Sequence, residues 1–234
     1  MTGFGAGRLE GHRYSVLLAL LVASLAIQTF RTGSGGGDLI FDGIATALAI
    51  AVFATVFQGT RQRPAAAALL IGILVTAWAR YVLPNAFDRA LSLTHHTLQA
   101  TFLWSAVAAI LHSLFVSRTA GADNVRGAIC GYLIAGSAWG SVNIVAYIVS
   151  PSSYGVDPAV QALLVDWHGR VALFSYYSFA QVLTIGYSDV TPVRAPATTL
   201  SLFAALFGVF YTAVVVSQLV TVAQSSNAGR PPDA

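Results

Sequence analysis

Residues 181–192 read Gln-Val-Leu-Thr-Ile-Gly-Tyr-Ser-Asp-Val-Thr-Pro, and the reading of the chain turns on the six in the middle, Thr184, Ile185, Gly186, Tyr187, Ser188 and Asp189. On one side lies a stretch able to form a short amphipathic helix, and on the other a final long apolar run. A helix, a tight loop and a span in that order put irregular backbone at membrane depth, which is tolerated only where the loop lines a wet cavity. Such a loop can aim its carbonyl oxygens inward to replace the water around a cation, which regular helix and strand cannot do. The residue types suit the task. Gly186 reaches φ values closed to other residues, Thr184 adds a hydroxyl to the row of oxygens, and Tyr187 has the size to brace the loop.

Composition agrees. Hydrophobic residues make up 56% of the 234 and charged residues 9%, with a mean hydropathy of +0.71, too little charge to cover a soluble globular surface. The chain reads as an all-α integral membrane protein. The lone cysteine, Cys130, sits in an apolar stretch and supports no disulfide framework within the chain. The net charge of +3 comes from arginines alone and reads as topology-setting loop charge rather than a nucleic-acid surface.

Apolar runs of membrane-crossing length occupy about 14–30, 39–57, 65–83, 93–117, 126–150 and 196–223, predicting six transmembrane helices. Turns are expected at Gly33–Gly37, Arg61–Pro64, Pro84–Arg89 and Arg118–Arg126. The resulting divisions are an N-terminus at 1–13, a four-helix transmembrane unit at 14–118, a pore unit at 126–223 and a tail at 224–234. With both termini cytoplasmic, the inner loops sum to +4 and the outer loops to −1, as the positive-inside rule prefers. Compactness and the lack of trafficking signals point to a prokaryotic inner membrane.

The stretch from Val171 to Val222 resembles the pore module of the potassium channel family, with its outer helix, re-entrant pore helix, Thr-Val-Gly-Tyr-Gly-Asp filter and inner helix. Thr184, Ile185, Gly186, Tyr187 and Asp189 match the filter, Tyr176 to Phe179 stand at the aromatic pore-helix positions, and Pro192 matches a proline common just after it. Gly208, 22 residues beyond Gly186, falls at the inner-helix hinge glycine. The resemblance implies a pore helix and filter between the fifth and sixth spans, assembly as a homotetramer in the lipid bilayer, and passive conduction of K+. K+ would bind at Thr184, Ile185, Gly186 and Tyr187, with Ser188 completing the filter, Asp189 at the outer mouth, and Thr212 and Val216 lining the cavity below Gly208. No cofactor, nucleic acid or small-molecule substrate is implied, and no nucleophile and base constellation indicates an enzyme.

Ser188 departs from the pattern. It replaces the family's second filter glycine, where a Cβ costs roughly 1 kcal/mol or more. Either the hydroxyl is tied to nearby backbone and the filter survives, or the outer ring is distorted and sodium is admitted. A weakly selective cation channel and a non-conducting pore-loop subunit therefore stand as alternatives. The four leading spans lack the arginine ladder that a voltage sensor needs. Asp42 and Arg80 are the charges nearest span interiors and are expected either to pair or to snorkel separately. His95 and His96, adjacent in sequence, are expected on different helix faces, and His168 reads as an unremarkable interfacial histidine.

Overall fold

The computed structural model describes residues 13–29, 35–116, 122–186 and 188–228. Seven α-helices follow one another among them: α1 Arg13–Thr29, α2 Gly35–Val56, α3 Arg63–Ala79, α4 Asp88–Val116, α5 Ala122–Val149, α6 Trp167–Val182 and α7 Ala195–Ala228. The protein is an all-α membrane protein. Among the described residues, four helices are long and apolar enough to cross a membrane: Asp38–Val56, Asp88–Val116, Asp123–Val149 and Ala195–Gln218. The other two expected spans are shorter apolar helices, Tyr14–Ala26 and Arg63–Ala79. The 17 residues of α3 rise about 25 Å, slightly under the roughly 30 Å hydrocarbon thickness.

Prolines set several boundaries. Pro64 occupies the first turn of α3, where its missing N–H costs nothing. Pro151 follows Ser150, which leaves helical geometry (φ −138°, ψ 76°) and ends α5. Two helices begin earlier than expected. Gly35, Gly36 and Gly37 already belong to α2, and Ala122–Arg126 already belong to α5, because apolar neighbours propagate a helix further than local glycine and charge argue against it.

The segment between α5 and α7 holds structure that hydropathy does not signal. A two-stranded antiparallel ribbon joins β1, Tyr154–Val156, to β2, Val190–Pro192, with Tyr154 opposite Pro192 and Val156 opposite Val190. One strand precedes α6 and the other follows the loop after it, so the ribbon closes the two ends of this segment on each other. Thr191 Oγ1 adds a bond to Gly155 O at 3.3 Å.

Packing is organised around α5. Its interface with α4 is the most extensive in the chain, and its interface with α6 is next. Glycine makes the second approach possible: a Cβ on Gly136 would lie 2.3 Å from the Phe179 ring. One core joins α1 to α5 with the lower part of α7, and includes Leu17, Phe57, Phe102 and Tyr211. A second surrounds α6, where Tyr147, Tyr154, Phe174 and Tyr177 meet edge to face or tilted at 5.2–6.2 Å.

Candidate functional site: the pore helix and its loop

α6 is short, starts cleanly and is fastened at each turn. Asp166 caps it, its carboxylate accepting from Gly169 N at 2.9 Å. At mid-helix, fully buried Asn143 of α5 donates to Ser178 Oγ at 3.1 Å and accepts from the Tyr154 hydroxyl at 2.8 Å. Burial raises the Tyr154 phenol well above its ordinary pKa, so the hydroxyl remains a donor throughout the physiological range. The Tyr177 hydroxyl bonds Ser201 of α7. Replacing Asn143 with leucine orphans both partners and is expected to cost about 2 kcal/mol, read as a lower unfolding midpoint in detergent.

The last residue of α6 carries the closest contact. Val182 O accepts from the Tyr132 hydroxyl of α5 at 3.0 Å, and a Cβ built on Gly208 of α7 would stand 1.8 Å from the same oxygen. Gly208 is thus the point where the last helix touches the end of the pore helix. Thr212 lies one turn further, its hydroxyl donating to Gly208 O at 2.9 Å, and both Thr212 and Val216 are exposed on the single chain.

Beyond Val182 the backbone leaves regular structure. Thr184 takes φ 58° and Gly186 φ 81°, both left-handed. Ile185 N and Gly186 N both donate to Ala180 O, at 2.9 and 3.1 Å, tucking the loop under the helix end. Leu183, Thr184, Ile185 and Gly186 are all exposed on the single chain. Tyr187 lies outside the described residues. Ser188 Oγ accepts from Val190 N at 3.2 Å, which ties the serine to the backbone two residues on. Ser188→Ala is therefore expected to cost about 1 kcal/mol, measured as a shift in thermal midpoint. Asp189 is exposed, and its carbonyl accepts from Asp157 N at 2.9 Å. Asp157 caps Ala159 N at 2.8 Å, so Asp157 and Asp166 both serve local backbone structure.

With helix, left-handed loop and packed inner helix in place, the family model described as "Ion channel" matches residues 164–225. This segment is a pore-loop ion channel domain. The match begins just before α6 and ends within α7, so the domain spans the pore helix, the loop and most of the last helix. Neither a curated protein nor a solved structure matches the chain. The resemblance drawn from the TIGYSD stretch therefore holds at the level of the pore-loop channel family.

Sequence reasoning left open whether Asp42 and Arg80 pair, and missed what joins them at the start of the channel domain. Asp42 of α2 and Arg80 after α3 do pair, and Tyr81 donates to the same carboxylate oxygen of Asp42. His168, in the first turn of α6, joins them and is 4% exposed. His95 and His96, expected on different faces, are both buried and both reach Trp167, with ring centroids 5.2 Å away in each case. Adjacent helical residues diverge by about 100°, but a Trp ring is wide enough to meet both. The available signal was Trp167-His168 at the head of the pore helix.

Proposed function

We propose that the protein is a homotetrameric, potassium-selective channel. The observation that carries this is the loop Thr184–Gly186 at the end of a capped helix, left-handed at Thr184 and Gly186 and exposed on the single chain. One chain supplies one loop, so four copies around an axis are needed to ring a cation with carbonyls of Thr184, Ile185, Gly186 and Tyr187. Exposed Leu202, Phe203, Leu206, Val209 and Phe210 on α7 supply apolar surface for neighbouring chains or lipid.

On this reading six helices cross the bilayer, α6 is re-entrant, and both termini are cytoplasmic. Asp38, Asp42, Arg80, Asp88 and Arg170 then share the outer end, in keeping with the Asp42–Arg80 and Asp88–Arg170 pairs. Asp189 raises cation concentration at the outer mouth. Thr212 and Val216 face the cavity, and Gly208 gives the inner helix both its close packing and its bending point. The bond from Ser188 Oγ to Val190 N favours a filter that keeps its inner carbonyl rings over one opened to sodium.

Gating is not steeply voltage dependent. After Arg89, α4 carries no arginine or acid as far as Val116, and Arg89 itself donates to Ile148 O at 3.1 Å. Purified protein in liposomes should take up rubidium down a potassium gradient, and native mass spectrometry in detergent should give four chains. A monomer or dimer that passes no rubidium would overturn the reading.

A further inference from the structure

His168 is held by groups that no single protonation state satisfies. Its Nδ1 faces Asp38 Oδ1 at 3.3 Å, its Nε2 faces Asp42 Oδ1 at 3.1 Å, and the same Nε2 faces Arg80 Nη2 at 2.8 Å. The two carboxylates each call for an N–H, while the guanidinium, which only donates, calls for a lone pair. Neutral imidazole with its proton on Nδ1 serves Asp38 and accepts from Arg80, leaving Asp42 Oδ1 against a lone pair. Imidazolium serves both aspartates and turns an N–H toward the N–H of Arg80. Asp42 can hold both cations at once, because Arg80 and Tyr81 use Oδ2 and His168 uses Oδ1. The contact that proton uptake breaks is therefore the one between Arg80 and His168.

Formal charge favours uptake. Two carboxylates face the ring against one guanidinium, so a proton on His168 gains an ion pair with Asp38 and with Asp42. Opposing it are Arg80 itself and the partial positive charge, about +0.5, of the α6 N-terminus. Among the described residues, the other titratable groups around the site include Tyr81 on Asp42, His95 and His96 behind Trp167, the capping Asp166, and the Asp88–Arg170 pair two residues along α6. Phe41 closes the last side, its ring edge-on at 5.4 Å. His168 is buried, but its partner Asp38 has a side chain 30% exposed, which gives a proton a way in.

Arg80 has somewhere to go. Its guanidinium sits 4.9 Å over the Trp167 ring, its Nε and Nη1 are buried without hydrogen-bond partners, and it lines a cavity of about 130 Å3 shared with Ser137, Ser141 and Ser175. The cavity is mainly apolar, but its polar corner around the serines has room for a water that could satisfy the two unpartnered donors. Trp167 and His168 are the first two residues of the pore helix, so movement of Arg80 is felt where that helix is anchored.

We propose that His168 is a proton-binding site whose protonation exchanges Arg80 for Asp42 as the Nε2 partner and, by lifting Arg80 from Trp167, lowers conduction in acid. The effect on conduction rests on the channel reading above; the partner exchange does not. Two readouts keep the two apart. In full-length protein in lipid, with the sample taken from about pH 8 to about pH 5, imidazole nitrogen chemical shifts assigned by comparison with His168→Gln should pass from a neutral Nδ1–H tautomer to imidazolium. Rubidium flux should fall about fivefold or more over the same range and lose this dependence in His168→Gln. A His168 signal that keeps one protonation state throughout, or a flux profile unchanged in His168→Gln, would overturn the proposal.

Discussion

Gly208→Ala should leave no folded, conducting protein. Alanine is the better helix former by about 1 kcal/mol, so propensity alone predicts a gain. Contact geometry reverses the sign. The new Cβ would stand 1.8 Å from Val182 O and 2.8 Å from Val182 C, and both are backbone atoms that cannot rotate away. That oxygen is also pinned from the other side by the Tyr132 hydroxyl at 3.0 Å. Either α7 retreats from α6 or the pore helix loses its last turn. Overpacking in a close-packed site costs about 3 kcal/mol or more, a large fraction of the 5–15 kcal/mol that holds a typical domain together. Size-exclusion profiles and thermal midpoints in detergent read the loss directly.

Gly186→Ala should do the opposite, leaving the fold and removing the flux. Nothing lies within 4 Å of a Cβ at this position, so the substitution meets no steric obstacle in the single chain. Its cost lies in φ 81°, a left-handed conformation that disfavours an L side chain by roughly 1–2 kcal/mol. In the proposed tetramer the four copies must hold the loop together, so the penalty multiplies to about 4–8 kcal/mol on the conducting arrangement. At about 1.4 kcal/mol per tenfold, rubidium uptake should drop about a thousandfold or more. The thermal midpoint should stay close to the parent's, because the loop contributes no buried core. Equal losses of stability and flux would place Gly186 in packing rather than in the conducting loop.

These two glycines show what sequence could and could not supply. Spacing from the filter-like stretch picked out Gly208, and hydropathy located the helices to within a few residues. The residue pattern did not reveal that Gly208 abuts the carbonyl of Val182, because a backbone contact leaves no side-chain signature. Nor did it reveal the ribbon between Tyr154–Val156 and Val190–Pro192, whose three-residue strands are too short for alternation to register. The expected turn at Gly35–Gly37 failed because helix growth from Asp38 onward overrode local propensity.

The cluster at the head of the pore helix was hidden for another reason. Asp42, Arg80 and His168 are separated by 38 to 126 positions, and pairing over such distances is set by how helices pack. Asp42 and Arg80 were visible as charges near span interiors, where an unpaired ion is costly. His168 was not, since one histidine near an interface has no distinguishing neighbour in sequence. Ser188 lay between these cases. Its place in the filter motif was evident, and the bond from its hydroxyl to Val190 N resolves how the position is held.

Potassium selectivity is the claim on which the functional account stands, and a bi-ionic reversal potential tests it most directly. Purified protein in a planar bilayer, with potassium on one side and sodium on the other, should reverse near the potassium equilibrium potential, as the proposed filter of Thr184, Ile185, Gly186 and Tyr187 requires. A reversal near zero would contradict this, and would mean that the serine has opened the filter to sodium.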